Sequence, residues 1–184
     1  HERSASQNCR GGVLNERIFH QIVSLENLFH AWREFRRGKQ NKLDVRRFEF
    51  SLEDNIFELH ESLVNKTYSH GPYQSFMVRD PKLRHIHKAS VRDRVFHQAV
   101  YRILYQIFDP AFIFDSYSCR LKKGLHRAVA RLEQFINKAS GNHRYTGYAL
   151  KCDVRKFFDN VDQNTLLDLI KRKNDEPELL ALIK

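Results

Sequence analysis

The stretch that decides the fold is Gly147-Tyr-Ala-Leu-Lys-Cys-Asp-Val-Arg-Lys-Phe-Phe-Asp-Asn-Val-Asp162. Its first part predicts a strand, because larger apolar side chains alternate with Ala and Lys from Tyr148 to Cys152. Asp153 then stands where the apolar residues would continue. A carboxylate at the end of a hydrophobic strand is costly unless it is paired or binds a cation.

An aromatic pair, Phe157 and Phe158, follows that carboxylate, and two further acids, Asp159 and Asp162, precede a helix-like run. A strand that ends in an Asp, followed by an aromatic pair and a turn, is typical of a cation-bound phosphoryl-transfer centre. The alternative is structural: Asp153 starts a turn, and Asp162 caps the next helix. The rest of the chain favours the first interpretation.

The composition indicates that the protein binds a polyanion. The 184 residues carry 32 Lys and Arg against 22 Asp and Glu, a formal net charge of +10, and 41% of them are hydrophobic. Such a chain can bury a core in one sizeable domain or two small ones. Its surplus of positive charge indicates nucleic acid first and an anionic membrane second. No long uninterrupted apolar run is present, so no membrane span is expected.

The metal-binding residue types show no zinc or disulfide pattern. Cys9, Cys119 and Cys152 are far apart and odd in number, which suits a reducing cytosol and predicts a cytoplasmic protein. His85 and His87 are the closely spaced histidines, and without Cys or acidic neighbours we expect them to be solvated or to face phosphate. The chain does not begin with Met and ends in an unfinished amphipathic segment, so we expect a piece of a longer protein.

Hydrophobic periodicity predicts helices and one hairpin before a strand–helix unit. Ser24 is the expected N-cap of a helix, and Ser90 that of another. The other predicted elements are a helix from about Val45 to Lys66, strands Tyr73–Val78 and Leu83–His87 around an Asp80-Pro81 turn, a helix from Leu125 to about Lys138 with Leu125, Ala128, Val129, Leu132, Phe135 and Ile136 inward, and helices after Asp162 and at Pro177. The fold class is therefore α+β. Three segments are expected: a flexible lead-in (1–15), a helical region with the hairpin (16–140) and a strand–helix unit (141–184).

Three motifs resemble those of reverse transcriptases from bacterial retroelements. The first palm motif of that family matches at Asp153, Val154, Phe157, Phe158, Asp159, Val161 and Asp162. The segments Arg84–Arg94 and Phe108–Ala128 are similar to two of the motifs that precede it. The resemblance implies that 16–140 are the fingers and that 141–184 begin the palm of a right-hand polymerase.

The residues of two motifs resemble those of one subgroup, the reverse transcriptases of diversity-generating retroelements. Ser116-Tyr-Ser-Cys-Arg120, followed by Lys123-Gly-x-His126, is similar to that subgroup, whereas group II intron enzymes typically carry Gly-Phe-Arg-Pro-Gly. After the hairpin, this chain has His85-Ile-His-Lys-Ala89 instead of the Pro-Leu-Gly-Ile-Pro of the group II intron form.

The resemblance also implies a role for each candidate site residue. Asp153 would be a ligand of two catalytic Mg²⁺ ions, assisted by the carbonyl of Val154, and Phe158 would lie under the sugar and exclude ribonucleotides. Lys82 and Arg84 would hold the triphosphate of the incoming dNTP, with a solvated hairpin tip as the structural alternative.

Basic clusters near two other motifs are the expected contacts to nucleic-acid phosphates. The resemblance and the charge assign this role to Arg36, Arg37, Lys39, Arg120, Lys122 and Lys123. The first three could instead form a solvated helix end. Asp93 and Arg94 are expected to form an ion pair with a structural role.

Together these residues predict the N-terminal part of an RNA-directed DNA polymerase. Its implied partners are an RNA template, the cDNA or RNA–DNA duplex, dNTP and an accessory protein of the retroelement. The (Tyr/Met)-x-Asp-Asp motif of the family is absent from the sequence, so these 184 residues alone are not expected to polymerise. Alternatives are a defence-associated reverse transcriptase, a group II intron-type maturase and a non-catalytic nucleic-acid-binding fingers module. Asp153 and Phe158 favour a polymerase over the binding module.

Overall fold

A computed structural model describes residues 17–184 and shows a helix-rich chain with one antiparallel hairpin. The predicted α+β class is confirmed. In chain order the elements are α1 (Ile18–Val23), α2 (Leu25–Arg36), α3 (Leu43–Phe50), α4 (Leu52–Val64), β1 (Gln74–Asp80), β2 (Lys82–Lys88), α5 (Val91–Phe108), α6 (Leu125–Ala139), α7 (Gln163–Lys171) and α8 (Pro177–Ile183). Single 3₁₀ turns cover Asp109–Ala111 and Phe158–Asn160.

The described residues divide into two compact units. The first contains residues 17–99 and 176–183, and the second contains residues 100–175 with residue 184. The predicted boundary near residue 140 stays a prediction, and the predicted lead-in, 1–15, lies outside the described residues. Within 17–184, no helix is both long enough and apolar enough to cross a membrane.

The core of the first unit forms where α2 packs against α1 and α4. The predicted cap of α2 is confirmed, because the Ser24 hydroxyl accepts a hydrogen bond from the Asn27 amide at 3.2 Å. The Asn27 side chain is buried and donates to the carbonyls of Ile22 and Ala99, which joins α1 to α5. The fully buried side chains of the described chain lie mainly here: Ile22, Leu28, Val45, Ile56, Leu59, Leu63, Val95 and Leu179.

The single helix predicted from Val45 to Lys66 is wrong. The chain forms α3 and α4 instead, and they are separated at Ser51, where φ is −121° and ψ is 51°. The Asn55 side chain donates to the Phe48 carbonyl at 2.9 Å, so it satisfies an acceptor that the end of α3 leaves open. The Asn55 side chain of α4 thus caps the C-terminus of α3, and this contact stabilises the break between the two helices.

The hairpin is confirmed, with strands one to two residues longer than predicted. Asp80 pairs with Lys82 across Pro81, and the register continues to Gln74 opposite Lys88. Nearly every residue of both strands is exposed, so the hairpin stands out from the first unit with both faces uncovered. Residues two apart share a face of a strand, so Lys82 and Arg84 project from the same face.

The second unit departs most from prediction. The predicted strand over Tyr148–Cys152 is wrong: residues 146–154 have no regular secondary structure, and Tyr148 and Leu150 are 97% and 90% exposed. A strand needs a hydrogen-bonded neighbour, and in the described chain β1 and β2 pair only with each other. The inward face predicted for α6 is also wrong, because most of its large apolar residues are exposed: Leu125, Val129, Leu132, Phe135 and Ile136.

Candidate nucleic-acid interface

The two residues predicted to bind a triphosphate, Lys82 and Arg84, lie on the exposed hairpin. Lys82 is the first residue of β2 and Arg84 lies two residues further, opposite Val78. Both side chains are exposed, and no ion-pair partner for either is found among residues 17–184. An ammonium and a guanidinium on one face provide a point charge and a planar fork for phosphate oxygens.

Asp93 joins the chain before β1 to the chain after β2. Its carboxylate accepts hydrogen bonds from the Tyr68 hydroxyl at 2.8 Å, the Gly71 amide at 3.2 Å and the Ser90 hydroxyl at 2.7 Å. The Ser90 hydroxyl in turn accepts from the Asp93 amide at 3.1 Å, which confirms Ser90 as the cap of α5. Burial opposes ionisation of Asp93, yet these hydrogen bonds hold the pKa of its carboxyl below the usual value.

The expected ion pair between Asp93 and Arg94 is wrong. Arg94 pairs instead with Asp44 of α3 at 2.6 Å, and the same Asp44 oxygen lies 2.6 Å from the Lys88 ammonium at the end of β2. Partial burial opposes ionisation, but the two cations keep the pKa of Asp44 lowered. Sequence reasoning missed Asp44, because nothing in local spacing relates residue 44 to residues 88 and 94.

The basic end of α2 is partly committed to internal contacts. Arg36 forms an ion pair with Glu49 of α3 at 2.5 Å. The Lys39 ammonium donates to the Phe35 carbonyl at 2.6 Å and lies 4.6 Å from the centre of the Phe35 ring. Arg37 is exposed. Of the three residues predicted to contact phosphate here, Arg37 therefore has the cationic group most open to a ligand.

Arg120 holds together the loop that carries it. Its guanidinium pairs with the Asp109 carboxylate at 2.7 Å and donates to the carbonyls of Ile113, Ser116 and Asp109. The hydrogen bond from Arg120 is the largest reason that the pKa of Asp109 is lowered. Its side chain is only 11% exposed, so a phosphate would have to compete with these acceptors. The predicted phosphate role of Arg120 stays a prediction, and its structural role was missed.

The two lysines after Arg120 differ in their surroundings. Lys123 donates to the Phe114 carbonyl at 2.7 Å, and its ammonium lies 3.7 Å from the Phe114 ring centre and 5.0 Å from that of Tyr117. Lys122 is exposed and has a left-handed backbone, with φ of 58°. Lys122 is thus the freer of the two for contact with a strand of nucleic acid.

The Asp153–Asp162 motif is exposed in the second unit. Asp153, Val154 and Phe158 are all exposed, and the rings of Phe157 and Phe158 meet edge to face with centres 5.3 Å apart. Asp162 caps α7, since its carboxylate accepts from the Thr165 amide at 2.6 Å, and this bond lowers its pKa.

Asp153 is not part of a cluster of metal-binding side chains within the described residues. Across the described part of the chain, no three His, Cys, Asp or Glu side chains come together to hold a metal ion. A single exposed carboxylate does not form the cage that two Mg²⁺ ions require. The donors present in residues 17–184 therefore do not by themselves fit the predicted pair of ions.

Comparison with known proteins gives one kind of relative. No protein-family model matches the chain. Group II intron-encoded protein LtrA of Lactococcus lactis subsp. cremoris is 27% identical over 134 residues, which are 71% of this chain and 21% of that protein. The protein of the same name from strain MG1363 gives the same values. The chain is thus distantly related to a group II intron-encoded protein and spans about a fifth of its length.

Proposed function

We propose that this chain forms the fingers and the beginning of the palm of a reverse transcriptase that copies an RNA template into cDNA. One observation carries the proposal: the Asp153–Asp162 motif occurs in a chain related over 71% of its length to a group II intron-encoded protein. The net charge of +10 and the exposed cationic hairpin support a nucleic-acid partner.

The proposed context is a diversity-generating retroelement. The segments Ser116–Arg120 and His85–Ala89 support this subgroup, since both depart from the group II intron form. A defence-associated enzyme or an intron maturase would use the same fingers and the same palm opening. An accessory protein of the element is part of the proposal.

Each exposed residue has a proposed task. Lys82 and Arg84 bind the triphosphate of the incoming dNTP, because they project from one face of a hairpin that is free to cover a substrate. The Phe158 ring occupies the space that a ribose 2′-hydroxyl would need. Arg37 and Lys122 contact backbone phosphates of the template or the duplex.

Asp153, with the carbonyl of Val154, is the proposed contribution of this chain to Mg²⁺ binding. The ions would supply charge that stabilises the transferring phosphoryl group. Because no three His, Cys, Asp or Glu side chains of residues 17–184 come together to hold a metal ion, further ligands of such a site would come from outside these residues.

Duplex binding tests the nucleic-acid part of the proposal. The chain should bind an RNA–DNA duplex with an affinity that falls steeply with salt, with a log–log slope of several units. The double variant Lys82→Gln, Arg84→Gln should bind dNTP more weakly when the duplex is present. The matched control, Arg172→Gln with Lys173→Gln, removes the same charge from the exposed end of α7. Salt-independent binding, or equal losses in both pairs, would contradict the proposal.

Primer extension by the complete protein tests catalysis. Asp153→Asn should abolish synthesis and leave template binding intact, because the amide keeps the shape and loses the charge. If Asp153 only forms a turn, Asn would serve as well and activity would persist. Unchanged activity would reject Asp153 as a metal ligand, whereas absence of synthesis by the unaltered complete protein would favour the candidate of another class, a nucleic-acid-binding module without chemistry.

A further inference from the structure

The hairpin cannot be fixed by packing of its own faces. Both strands are exposed along almost their whole length, and an isolated pair of strands is marginally stable in water. Its direction relative to the first unit must therefore be set where its two strands leave and re-enter that unit.

The strand that leaves the unit is held by Asp93. The Tyr68 hydroxyl and the Gly71 amide, which come just before β1, both donate to this carboxylate. Asp93 is 1% exposed and belongs to the first turn of α5, so this side of the hairpin is tied to a buried point on a helix. Gly71 approaches so closely that a Cβ there would lie 3.1 Å from the Asp93 oxygen.

The strand that returns is held by Asp44. Lys88 ends β2, and its ammonium shares one Asp44 oxygen with Arg94 of α5. Ser90, two residues further, donates to Asp93. Asp44 comes from α3, so α3 and α5 hold the returning strand together.

We propose that Asp44 and Asp93 are positioning residues, which fix the direction of the hairpin and thereby the place of Lys82 and Arg84. This inference rests on the proposed function for the role of those two cations. It assigns the two carboxylates no contact with substrate.

The length of the hairpin makes its base sensitive. Lys88 lies six positions beyond Lys82 along β2, which is about 20 Å at the rise of a strand. A rotation of about 10° at the base then moves the tip by roughly 3 Å, which is the full length of a hydrogen bond. Phosphate contacts at Lys82 and Arg84 are lost by a change that leaves the fold of the unit intact.

Distance measurements between two spin labels test the positioning directly. The labels are attached at Leu83→Cys, at the tip, and Glu61→Cys, exposed on α4, in a chain whose three native cysteines are serines. Asp44→Asn should broaden a narrow distance distribution, and the control Asp54→Asn, which changes an exposed acid of α4, should not. Lys88→Gln removes the same contact from the hairpin side and serves if Asp44→Asn fails to fold. A distribution that stays narrow in the folded variants would overturn the inference.

Kinetics of the complete protein separate this inference from the proposed function. Asp44→Asn should raise KM for dNTP by roughly tenfold, with a smaller change in kcat and unchanged binding of duplex. A broadened distribution with unchanged KM would support the positioning and reject Lys82 and Arg84 as triphosphate ligands. A narrow distribution with a raised KM would reject the positioning instead.

Discussion

Replacing Asp93 should destabilise the first unit in a graded way. Alanine removes the acceptor of three hydrogen bonds, from Tyr68, Gly71 and Ser90, at a site that is 1% exposed. Each buried donor left without a partner costs about 1–3 kcal/mol, but the two hydroxyls can turn toward water. We therefore expect Asp93→Ala to lower the free energy of unfolding by about 3 kcal/mol.

Asparagine should cost less, because its amide can keep two of these contacts. Its oxygen can accept from Gly71 and Ser90 while its NH₂ group donates to the Tyr68 oxygen. Only the added strength of the charged acceptor is lost, so we expect about 1–2 kcal/mol for Asp93→Asn.

Trp32 provides the assay. It is the single Trp of the chain and is buried in α2, so its fluorescence follows unfolding of the first unit in urea. With a slope of about 1.5 kcal/mol/M, the alanine variant should unfold about 2 M earlier. Tyr68→Phe should cost about 1 kcal/mol alone and much less in the Asp93→Ala background, since its acceptor is then gone. Equal effects of Ala and Asn, or strict additivity with Tyr68→Phe, would refute the reasoning.

Three other predictions concern pH, helix capping and substrate choice. The pKa values of Asp93 and Asp44 are lowered in the folded state, so these carboxylates stabilise it at pH values above their unfolded pKa of about 4. The urea midpoint followed by Trp32 fluorescence should therefore fall as the pH drops below about 4. A midpoint that rises instead would contradict this. Asp162→Ala should cost about 1 kcal/mol by removing the cap of α7, seen as faster amide exchange in that helix, whereas Asp162→Asn should retain most of the protection. Phe158→Val in the complete protein should raise ribonucleotide incorporation relative to deoxyribonucleotide, and an unchanged ratio would reject the proposed role of the ring.

Features set by near neighbours in the chain could be predicted from the sequence. Ser24 and Ser90 cap helices as expected, and Asp162 caps α7 as its structural alternative stated, since a cap depends on amides two or three residues away. The hairpin followed from its turn at Asp80-Pro81. The break at Ser51 was missed because apolar residues keep helical spacing across it.

Features set by distant residues could not be predicted. The strand expected at Tyr148 is wrong because alternation describes one strand and says nothing of its neighbour. The Asp44 contacts join residues more than forty positions apart, so no local pattern announces them. The placement of Asp153 in an exposed segment is likewise a tertiary result, and its proposed chemistry stands on resemblance and on the distant relative.

The cations of the hairpin also bear on the solubility of the chain. A two-stranded sheet leaves the outer backbone edge of each strand open, and such edges can pair with another copy. Arg79 on β1, with Lys82 and Arg84 on β2, places like charge along them. Two copies that approach edge to edge therefore repel each other, so neutral glutamine at 82 and 84 should promote self-association. Exchanging the two cations, Lys82→Arg with Arg84→Lys, alters the geometry offered to phosphate and keeps this protection.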